Sequence, residues 1–509
     1  MTGRNETHSI AQASLLAAAT FVTRFAFRSH FLYDIDSVNF ALAMRRFDPV
    51  VHQPHPPGYF LYVLLGRFFH LFLADANSAL VAISIAASVL AALGIRQLAA
   101  AWFGSEAGLL AGVIFVASPL AWFHGTVALT YIVEACFSVW CGYFFWRVRQ
   151  GAGWLVAPGA LLLGFAAGFR PSSALFLSPL LLFSLLKCRR SQWLAASGAL
   201  TLAMLAWVIP MVEQSGGLSA YLSSFLTLWK MQGGKQTVFN SSPVTTIVRA
   251  FTIGGITILT FGFALAAALV RPKNPEQEQK RNEIALYTKV WLAPGLLFFT
   301  FIFLRWINSG YLLVLSPPIF AWLGLWVSGW LRSHDGRTRN RALQVAAAGV
   351  ACLAHVLVFL FAPLYCSYYS VRQFEGELAR VLPGVTHAGL PGNTLVVGFD
   401  SHFLGYRHAG YYLPDYQIVQ YPEVRYPDGK RVFAMKGGET TLMSRIPTAG
   451  FTQFVFSPLP QDDPEYAEYL KGVIARLPGG DLRRIQAGGR EYVVAPIRDL
   501  GLLFPSAGR

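Results

Sequence analysis

The stretch FLYDIDSVNFALAMRRFDPVVHQPHPPGYF, from Phe31 to Phe60, decides how the rest of the chain is interpreted. It lies between two strongly apolar regions, yet it carries charged and imidazole side chains: Asp34, Asp36, Arg45, Arg46, Asp48, His52 and His55. Charges beside membrane segments are costly and usually mark function. Loops also carry charges for solubility. Two acids two residues apart, followed by imidazoles in one short loop, favour a functional site over a solvated connection.

The composition around this stretch is that of a membrane protein. Of 509 residues, 54% are hydrophobic and 13% are charged, and the mean hydropathy is +0.45. A soluble protein carries about twice that charged fraction. The net charge of +15 does not indicate nucleic-acid binding, because Lys and Arg cluster in short segments between apolar runs. The five cysteines have neither metal-ligand nor disulfide spacing, so we interpret them as packing residues.

Apolar runs on both sides of the stretch are long enough to cross a bilayer, which takes roughly 17 to 25 residues. We predict about eleven spans. They begin near Ile10, Ser78, Glu106, Val127, Trp154, Pro171, Gln192, Val244, Val290, Gly310 and Leu343. The first run, about Ile10 to Phe27, has no small-residue cleavage site, so we interpret it as a retained helix and not a signal peptide. The fold class predicted is a polytopic α-helical membrane protein.

Basic segments set the predicted orientation, because cytoplasmic loops are rich in Lys and Arg. Four such segments share one side if the spans alternate: Arg147 with Arg149, Lys187 to Arg190, Arg271 to Glu283, and Leu331 to Arg341. The N-terminus is then cytoplasmic, and the first loop, residues 28–77, is outside. Gly58 to Ala74 breaks the alternation if it is counted as a span. We therefore predict that it lies along the membrane surface, with Arg67 and His70 on one helical face.

The composition changes after Cys366. Charge content becomes normal, and short β-rich runs occur at Asn393 to Phe399, Phe451 to Pro458 and Glu491 to Ile497. A helical pattern with an acidic first turn runs from Asp463 to Leu477. Strands alternating with helices predict a small α/β domain. We therefore expect a membrane module over residues 1–366 and an extracytoplasmic α/β domain over residues 367–509.

The chain has no Gly-rich phosphate loop, dinucleotide fingerprint, HExxH helix or GxSxG elbow, so nucleotide-dependent chemistry is unsupported. What remains is a set of acids and bases on the predicted outer face: Asp34, Asp36, Glu134, His55, His124 and Arg170. Moving a sugar from a lipid phosphate to a hydroxyl requires a carboxylate to take the acceptor proton. It also requires cations or a metal to hold the charge of the departing phosphate. This set supplies both.

Five segments, in order, resemble the GT-C superfamily of membrane glycosyltransferases, which use polyprenyl-phosphate sugars. They are DSVNFALA (Asp36 to Ala43), HPPGYFLYVLLGRFF (His55 to Phe69), WFHGTVALTYIVEACF (Trp122 to Phe137), GFAAGFRPSSALFLSPLLLF (Gly164 to Phe183) and GYLLVLSPPIFAW (Gly310 to Trp322). They are similar to segments of the protein O-mannosyltransferase, aminoarabinose lipid A transferase and RgtA/B/C/D-like families. The resemblance covers about Ile10 to Leu331.

The resemblance implies that Asp36 is the main catalytic acid or base. It implies that Asp34 is a neighbour able to share a divalent metal ion with it, that Glu134 is a second acid, and that His55 and Arg170 face the lipid phosphate. The chain departs from many relatives in two places. The acids read Asp-Ile-Asp where relatives often have adjacent acids, and His55 stands where the aminoarabinose enzymes have Lys. A neutral imidazole is a weaker phosphate ligand than Lys.

Three further residues are weaker candidates for substrate binding: His124, Arg305 and Tyr311. Each has an ordinary structural explanation, because His124 fits a turn and the other two fit helix ends that anchor at the membrane interface. Arg170 also has one, since its side chain could extend to the lipid headgroups.

We therefore expect a mannosyltransferase-like enzyme of the cell envelope that moves a sugar from a polyprenyl-phosphate donor to an acceptor hydroxyl by direct, inverting displacement. The acceptor would be a protein, lipid or glycan at the outer face of a bacterial inner membrane. A transporter or lipid flippase would instead predict charges deep in several spans and paired broken helices. A non-catalytic scaffold whose tail binds partners would not need the set of acids.

Overall fold

The computed structural model describes residues 2–262, 264–265, 278–305, 308–332, 338–426, 429–457 and 464–505. The chain forms two compact units. The helical unit comprises Met1–Arg28, Tyr59–Glu213 and Leu228–Ser370, and the α/β unit comprises Ser29–Gly58, Gln214–Thr227 and Val371–Arg509. Two of the basic segments used to predict the orientation are only partly described, because residues 266–277 and 333–337 lie outside the described residues. Residue 458, the end of one predicted strand, and residue 463, the start of the predicted tail helix, also lie outside them.

The elements follow one another as a long helical series and then a mixed region. The helices are α1 (Thr2–Ala26), α2 (Ile35–Arg45), α3 (Phe60–His70), α4 (Ala76–Phe103), α5 (Ser105–Ala117), α6 (Pro119–His124), α7 (Tyr131–Arg149), α8 (Val156–Phe169), α9 (Ser172–Leu185), α10 (Arg190–Gln214), α11 (Leu218–Leu228), α12 (Gly234–Gln236), α13 (Pro243–Phe261), α14 (Glu278–Phe301), α15 (Ser316–Arg332), α16 (Thr338–Phe361), α17 (Tyr368–Ala388), α18 (Tyr406–Tyr412), α19 (Pro464–Ile474) and α20 (Leu500–Leu503). The strands are β1 (Thr394–Phe399), β2 (Gln417–Tyr421), β3 (Val424–Tyr426), β4 (Gly429–Lys436), β5 (Glu439–Met443), β6 (Gln453–Phe456), β7 (Arg483–Ala487) and β8 (Arg490–Pro496).

Seven helical segments of the described chain are long and apolar enough to cross a membrane. They are His8–Ala26, Ala76–Phe103, Arg190–Gln214, Pro243–Phe261, Glu278–Phe301, Ser309–Arg332 and Ala342–Phe361. The remaining predicted spans correspond to α5, α7, α8 and α9, with 13, 19, 14 and 14 residues. Each predicted start therefore lies on or close to a helix. The polytopic helical class is confirmed, and the chain is an integral membrane protein.

The segment predicted to lie on the membrane surface forms α3, one of the shorter apolar helices of the described chain. Its 11 residues extend about 16 Å at 1.5 Å per residue, roughly half the thickness of the hydrocarbon core. One side of the helix buries Tyr62 and Val63, while Leu64 and Phe68 are exposed. An apolar face that the protein leaves uncovered suits contact with lipid.

Close contact between α7 and α14 illustrates how the helical unit packs. Trp291 is fully buried and lies directly over Gly142, and its indole Nε1 donates to Ser138 Oγ at 3.1 Å. One turn earlier, the Tyr287 hydroxyl donates to the Gly142 carbonyl at 2.8 Å. Because a glycine has no side chain, the indole can lie against the backbone of α7.

We expect Gly142→Ala to destabilise the protein by about 1–3 kcal/mol, the usual cost of overpacking, because the added methyl would overlap the Trp291 indole. The measurement is the midpoint of thermal unfolding in detergent. Gly349→Ala on α16 is the matched control, since a Cβ there meets nothing within 4 Å. Equal midpoints for the two variants would contradict the close packing.

The α/β unit contains a mixed sheet in the order β3-β4-β2-β1-β6-β8-β7, with β5 paired along β4. The central strand β1 runs parallel to β2 and β6, and the other pairings are antiparallel. All six residues of β1 are buried, as expected for a continuous apolar run covered on both faces. The predicted α/β domain is confirmed. The three predicted strands correspond to β1, β6 and β8, and the predicted helix corresponds to α19.

Candidate active site

Asp34 and Asp36 lie at the start of α2, in the α/β unit. Asp34 is the N-cap, and its Oδ1 accepts from the Asp36 backbone N–H at 2.8 Å. Asp36 therefore sits in the first turn, where the helix dipole favours a negative charge. Every residue of α2 from Ser37 to Met44 is buried, so the helix is firmly packed. The Asp-Ile-Asp spacing thus gives one acid a capping role and places the other at the helix start.

The chain after α2 turns back and brings His55 to Asp36. Asp48 and Gln53 exchange two backbone hydrogen bonds, at 2.6 and 2.9 Å, and the Asp48 carboxylate accepts from the Val50 N–H at 3.1 Å. His55 Nδ1 then lies 3.3 Å from Asp36 Oδ1, with the side chains 22% and 24% exposed. This carboxylate–imidazole pair is partly open to solvent, as a pair that meets a substrate must be.

His52, the other imidazole of this loop, is less suited to bind an anion. Its ring packs against Phe433, with centroids 5.2 Å apart. Burial and the charges of Arg407 and His55 lower the pKa of His52 to about 3, although Asp36 opposes the shift. His52 is therefore neutral near pH 7.

A second imidazole lies near Asp34, and the sequence did not point to it. His402, just before α18, places Nδ1 3.8 Å from Asp34 Oδ2. More than 360 residues separate the two in the chain. The cluster of basic side chains in HFLGYRH, from His402 to His408, was the signal that could have drawn attention to it.

The helical unit contains a second charged group, formed by Glu134 of α7 and Arg170 between α8 and α9. Arg170 Nε lies 2.9 Å from Glu134 Oε2, and the two side chains are 9% and 2% exposed. Ser172 and Ser173 donate to Glu134 Oε1 at 2.7 and 3.2 Å. Arg170 also donates to the Thr130 hydroxyl at 2.9 Å. This ion pair is buried, and neutral hydroxyls satisfy further polar atoms on both partners.

Three aromatic rings surround the Arg170 guanidinium. Its central carbon lies 4.3 Å from the Tyr131 ring centroid, 5.3 Å from that of Tyr311 and 5.9 Å from that of Tyr59. Cation–π contacts of this kind stabilise a desolvated cation by about 0.5–2 kcal/mol each. Tyr311 was a predicted site residue. Tyr59 and Tyr131 were not, because aromatic residues near span ends are too common to single out.

Of the remaining predicted site residues, His124 joins this group and Arg305 does not. His124 is buried, its ring lies 5.0 Å from that of Tyr131, and its Nε2 is 3.3 Å from Ser309 Oγ. Arg305 accepts a backbone hydrogen bond from Asn308, and its side chain has no hydrogen bond or ion pair within the described part of the chain. The predicted residues therefore form two groups. Asp34, Asp36 and His55 lie in the α/β unit, and Glu134, Arg170, His124 and Tyr311 lie in the helical unit.

The predicted divalent metal would rely on Asp34 and Asp36. Among the described residues no group of three or more His, Cys, Asp and Glu side chains is arranged to hold a metal ion. Mg²⁺ can be held by one or two carboxylates when waters and substrate phosphates complete its shell. The two acids fit that minimal role, and metal dependence stays a prediction.

We expect Asp34→Asn to keep the stability of the wild type and Asp34→Ala to lose about 0.5–2 kcal/mol, because Asn can cap a helix and Ala cannot. The free energy of unfolding in detergent checks this. The rate of sugar transfer is measured as well. A large fall in this rate in Asp34→Asn, without loss of stability, would favour a metal ion shared by Asp34 and Asp36. Equal stability of the Asn and Ala variants would contradict the capping role.

Comparison with known proteins agrees with the resemblance noted in the sequence. Residues 54–212 match the family model of dolichyl-phosphate-mannose-protein mannosyltransferase. The structure of ArnT from Cupriavidus metallidurans bound to undecaprenyl phosphate is similar over 94% of this chain and 97% of that one, with a TM-score of 0.54 and 13% identity. The apo state of the same protein gives a TM-score of 0.54 and 14% identity over 96% and 98% of the two chains.

A weaker similarity extends to archaeal oligosaccharyltransferase AglB from Archaeoglobus fulgidus in complex with an inhibitory peptide and a dolichol-phosphate. It covers 81% of this chain and 64% of that one at 12% identity, with a TM-score of 0.44. No significant match was found among curated protein sequences. The GT-C resemblance is confirmed by the family model and by the ArnT-like fold.

Proposed function

We propose that this chain, which has the GT-C glycosyltransferase fold, transfers a sugar from a polyprenyl-phosphate donor to an acceptor hydroxyl at the outer face of the membrane. The observation that carries the proposal is the partly exposed Asp36–His55 pair at the start of α2. The match to a dolichyl-phosphate-mannose-dependent family and the binding of undecaprenyl phosphate by ArnT support the donor class.

The proposed step is one displacement at the anomeric carbon. The acceptor oxygen forms a bond to that carbon while the bond from the carbon to the phosphate oxygen breaks, so the configuration inverts. Polyprenyl phosphate leaves with the bonding electrons. Asp36 takes the acceptor proton and later releases it to water, a role worth about 10²–10⁴-fold in rate.

His55 has two functions in this proposal. With Nδ1 3.3 Å from Asp36 Oδ1, it orients the carboxylate. In the proposed step the imidazolium form donates a hydrogen bond from Nε2 to the departing phosphate. Charge-assisted bonds to phosphate oxygens are about twice as strong as neutral ones, which compensates in part for the absence of a Lys.

We assign Glu134 and Arg170 a supporting role in the helical unit. Each already neutralises the other at 2.9 Å, and both are buried. The alternative, that Arg170 faces the lipid phosphate as the resemblance implies, makes a different prediction about activity that is set out in the Discussion.

We further propose that the sugar is a hexose such as mannose, a choice that the matched family model supports. The acceptor would be a protein, lipid or glycan hydroxyl. We also propose that the N-terminus lies in the cytoplasm and the α/β unit outside a bacterial inner membrane, an orientation supported by the basic segments between the apolar runs.

The test is a transfer assay with purified protein in lipid nanodiscs. Polyprenyl phosphates carrying different radiolabelled hexoses or aminopentoses are supplied with extracts of envelope acceptors. We expect one donor to yield labelled acceptor and an equal amount of free polyprenyl phosphate. Failure of every donor, or movement of the intact donor across vesicle membranes without cleavage, would overturn the proposal.

A further inference from the structure

We infer that Arg407 of α18 is a positioning residue that holds the loop carrying His55 in register with Asp36. The inference rests on the proposed function, because it assigns the sheet-containing part of the α/β unit a task in that same reaction. All the contacts that support it lie within the α/β unit.

Arg407 is almost fully buried, with 1% of its surface exposed. Its guanidinium donates to three oxygens from three segments: the Tyr406 hydroxyl at 2.8 Å, the Thr440 hydroxyl at 2.9 Å and the Val51 carbonyl at 2.8 Å. The planar fork of Arg can bind several acceptors in fixed directions, which a Lys ammonium cannot do. Arg407 therefore ties α18, β5 and the loop before His55 together.

In the described part of the chain, Arg407 is held by hydrogen bonds to neutral oxygens and not by an ion pair. No ion pair within the described residues includes Arg407, and its partners are neutral oxygens together with the rings of Tyr406 and Phe433, whose centroids lie 5.0 and 5.3 Å away. A buried cation without hydrogen-bond partners is strongly unfavourable. The Val51 carbonyl is therefore needed to satisfy Arg407, and moving the loop would leave a guanidinium N–H unsatisfied.

Thr440 provides a second link to the same loop. Its hydroxyl, fully buried in β5, accepts from Gln53 Nε2 at 3.1 Å as well as from Arg407. Residues 51 and 53 are both fixed in this way, and His55 follows two residues later. Residues in and beside α18 also hold the chain next to Asp36.

Residues in and beside α18 bind the chain that leads into α2. The Leu32 N–H donates to the Tyr412 hydroxyl at 2.9 Å, and His408 Nε2 lies 3.1 Å from the Leu32 carbonyl. The Ile35 N–H donates to the His402 carbonyl at 2.9 Å. One short helix and the turn before it thus fix both the Asp36 side and the His55 side of the pair.

The chemical consequence follows from the sensitivity of catalysis to distance. A misplacement of 1 Å can cost about 100-fold in rate. Because Asp36 and His55 come from the two ends of a 20-residue segment, their separation depends on what holds each end. Arg407 and Thr440 supply that support at the His55 end.

The experiment uses the full-length protein in nanodiscs and compares Arg407→Gln and Thr440→Val with Arg445→Gln, an exposed arginine of the same unit. Trypsin cleavage after Arg46, at the start of the loop, is measured by mass spectrometry relative to cleavage after the exposed Arg476. We expect the first two variants to be cut faster after Arg46 at an unchanged rate after Arg476. The control should match the wild type.

Kinetics supplies a readout that simple loss of folded protein would not change. We expect kcat of Arg407→Gln to fall by up to about 100-fold with little change in the donor KM. Here kcat is expressed per mole of folded protein, measured by gel filtration, so loss of folded protein alone leaves it at the wild-type value.

Two outcomes overturn the inference: an unchanged cleavage ratio in both Arg407→Gln and Thr440→Val, or a wild-type kcat per mole of folded protein in both variants. If the wild type transfers no sugar at all, the proposed function fails while the cleavage ratio still decides whether Arg407 fixes the loop. If Arg407→Gln does not fold, Thr440→Val carries both measurements.

Discussion

Replacing Asp36 by Asn should lower the rate of sugar transfer by about 10²–10⁴-fold, the range expected for loss of a general base. The amide has nearly the size of the carboxylate but cannot accept the acceptor proton at neutral pH. Stability should fall by no more than about 1 kcal/mol, the contribution of a charge in the first helical turn, because Asp34 still caps α2 and Asp36 keeps its backbone N–H in that cap. The measurement is the initial rate of labelled product formation at saturating donor.

Asp415→Asn is the matched control, since Asp415 is an exposed acid of the same unit and lies outside the proposed site. It should transfer sugar at the wild-type rate. Wild-type transfer by Asp36→Asn would remove this residue from the chemistry. A loss of transfer that is matched by a loss of folded protein would show that Asp36 acts on stability instead.

Replacing Arg170 by Met should destabilise the protein by about 3–5 kcal/mol, the usual cost of breaking a buried ion pair. The variant would leave the Glu134 carboxylate without its cation in a site that is 2% exposed. The double variant Glu134→Met/Arg170→Met should be more stable than Arg170→Met, because it removes both charges. The free energy of unfolding of the wild type and both variants is measured by denaturant titration in detergent.

An exposed ion pair of the helical unit supplies the control. Arg332 and Glu106 form an ion pair with side chains 65% and 43% exposed, so Arg332→Met should cost no more than about 1 kcal/mol. Equal costs for Arg170→Met and Arg332→Met would contradict the buried role. A double variant that folds and transfers sugar would support our assignment, whereas one that folds and binds the donor poorly would place Arg170 at the lipid phosphate.

Much of the architecture could be predicted because its signals are local. Long apolar runs identify membrane helices wherever they occur, and continuous β-rich runs such as Asn393 to Phe399 identify strands that are buried on both faces. The start of α2 was not predicted, although an acid followed two residues later by another acid fits a cap and a first helical turn. These patterns depend on neighbours in the chain and not on the tertiary fold.

The contacts that hold the proposed site could not be predicted, because they join distant parts of the chain. Arg407 donates to the carbonyl of Val51, which lies 356 residues earlier in the chain. The sequence around either residue does not indicate this contact. The pairing of Glu134 with Arg170 is similar, since the sequence predicts both as site residues but does not predict their direct contact. A sequence shows which groups are unusual, whereas the fold shows which of them satisfy each other.

The discontinuous make-up of the α/β unit has a consequence for biosynthesis. The segment carrying Asp36 and His55 leaves the ribosome about 350 residues before Arg407, which holds it. At roughly 5–20 residues per second, this delay is about 20–70 s. A nascent chain therefore carries the Asp36 carboxylate before the groups that align it have been synthesised. The proposed sugar transfer can begin only when translation is nearly complete.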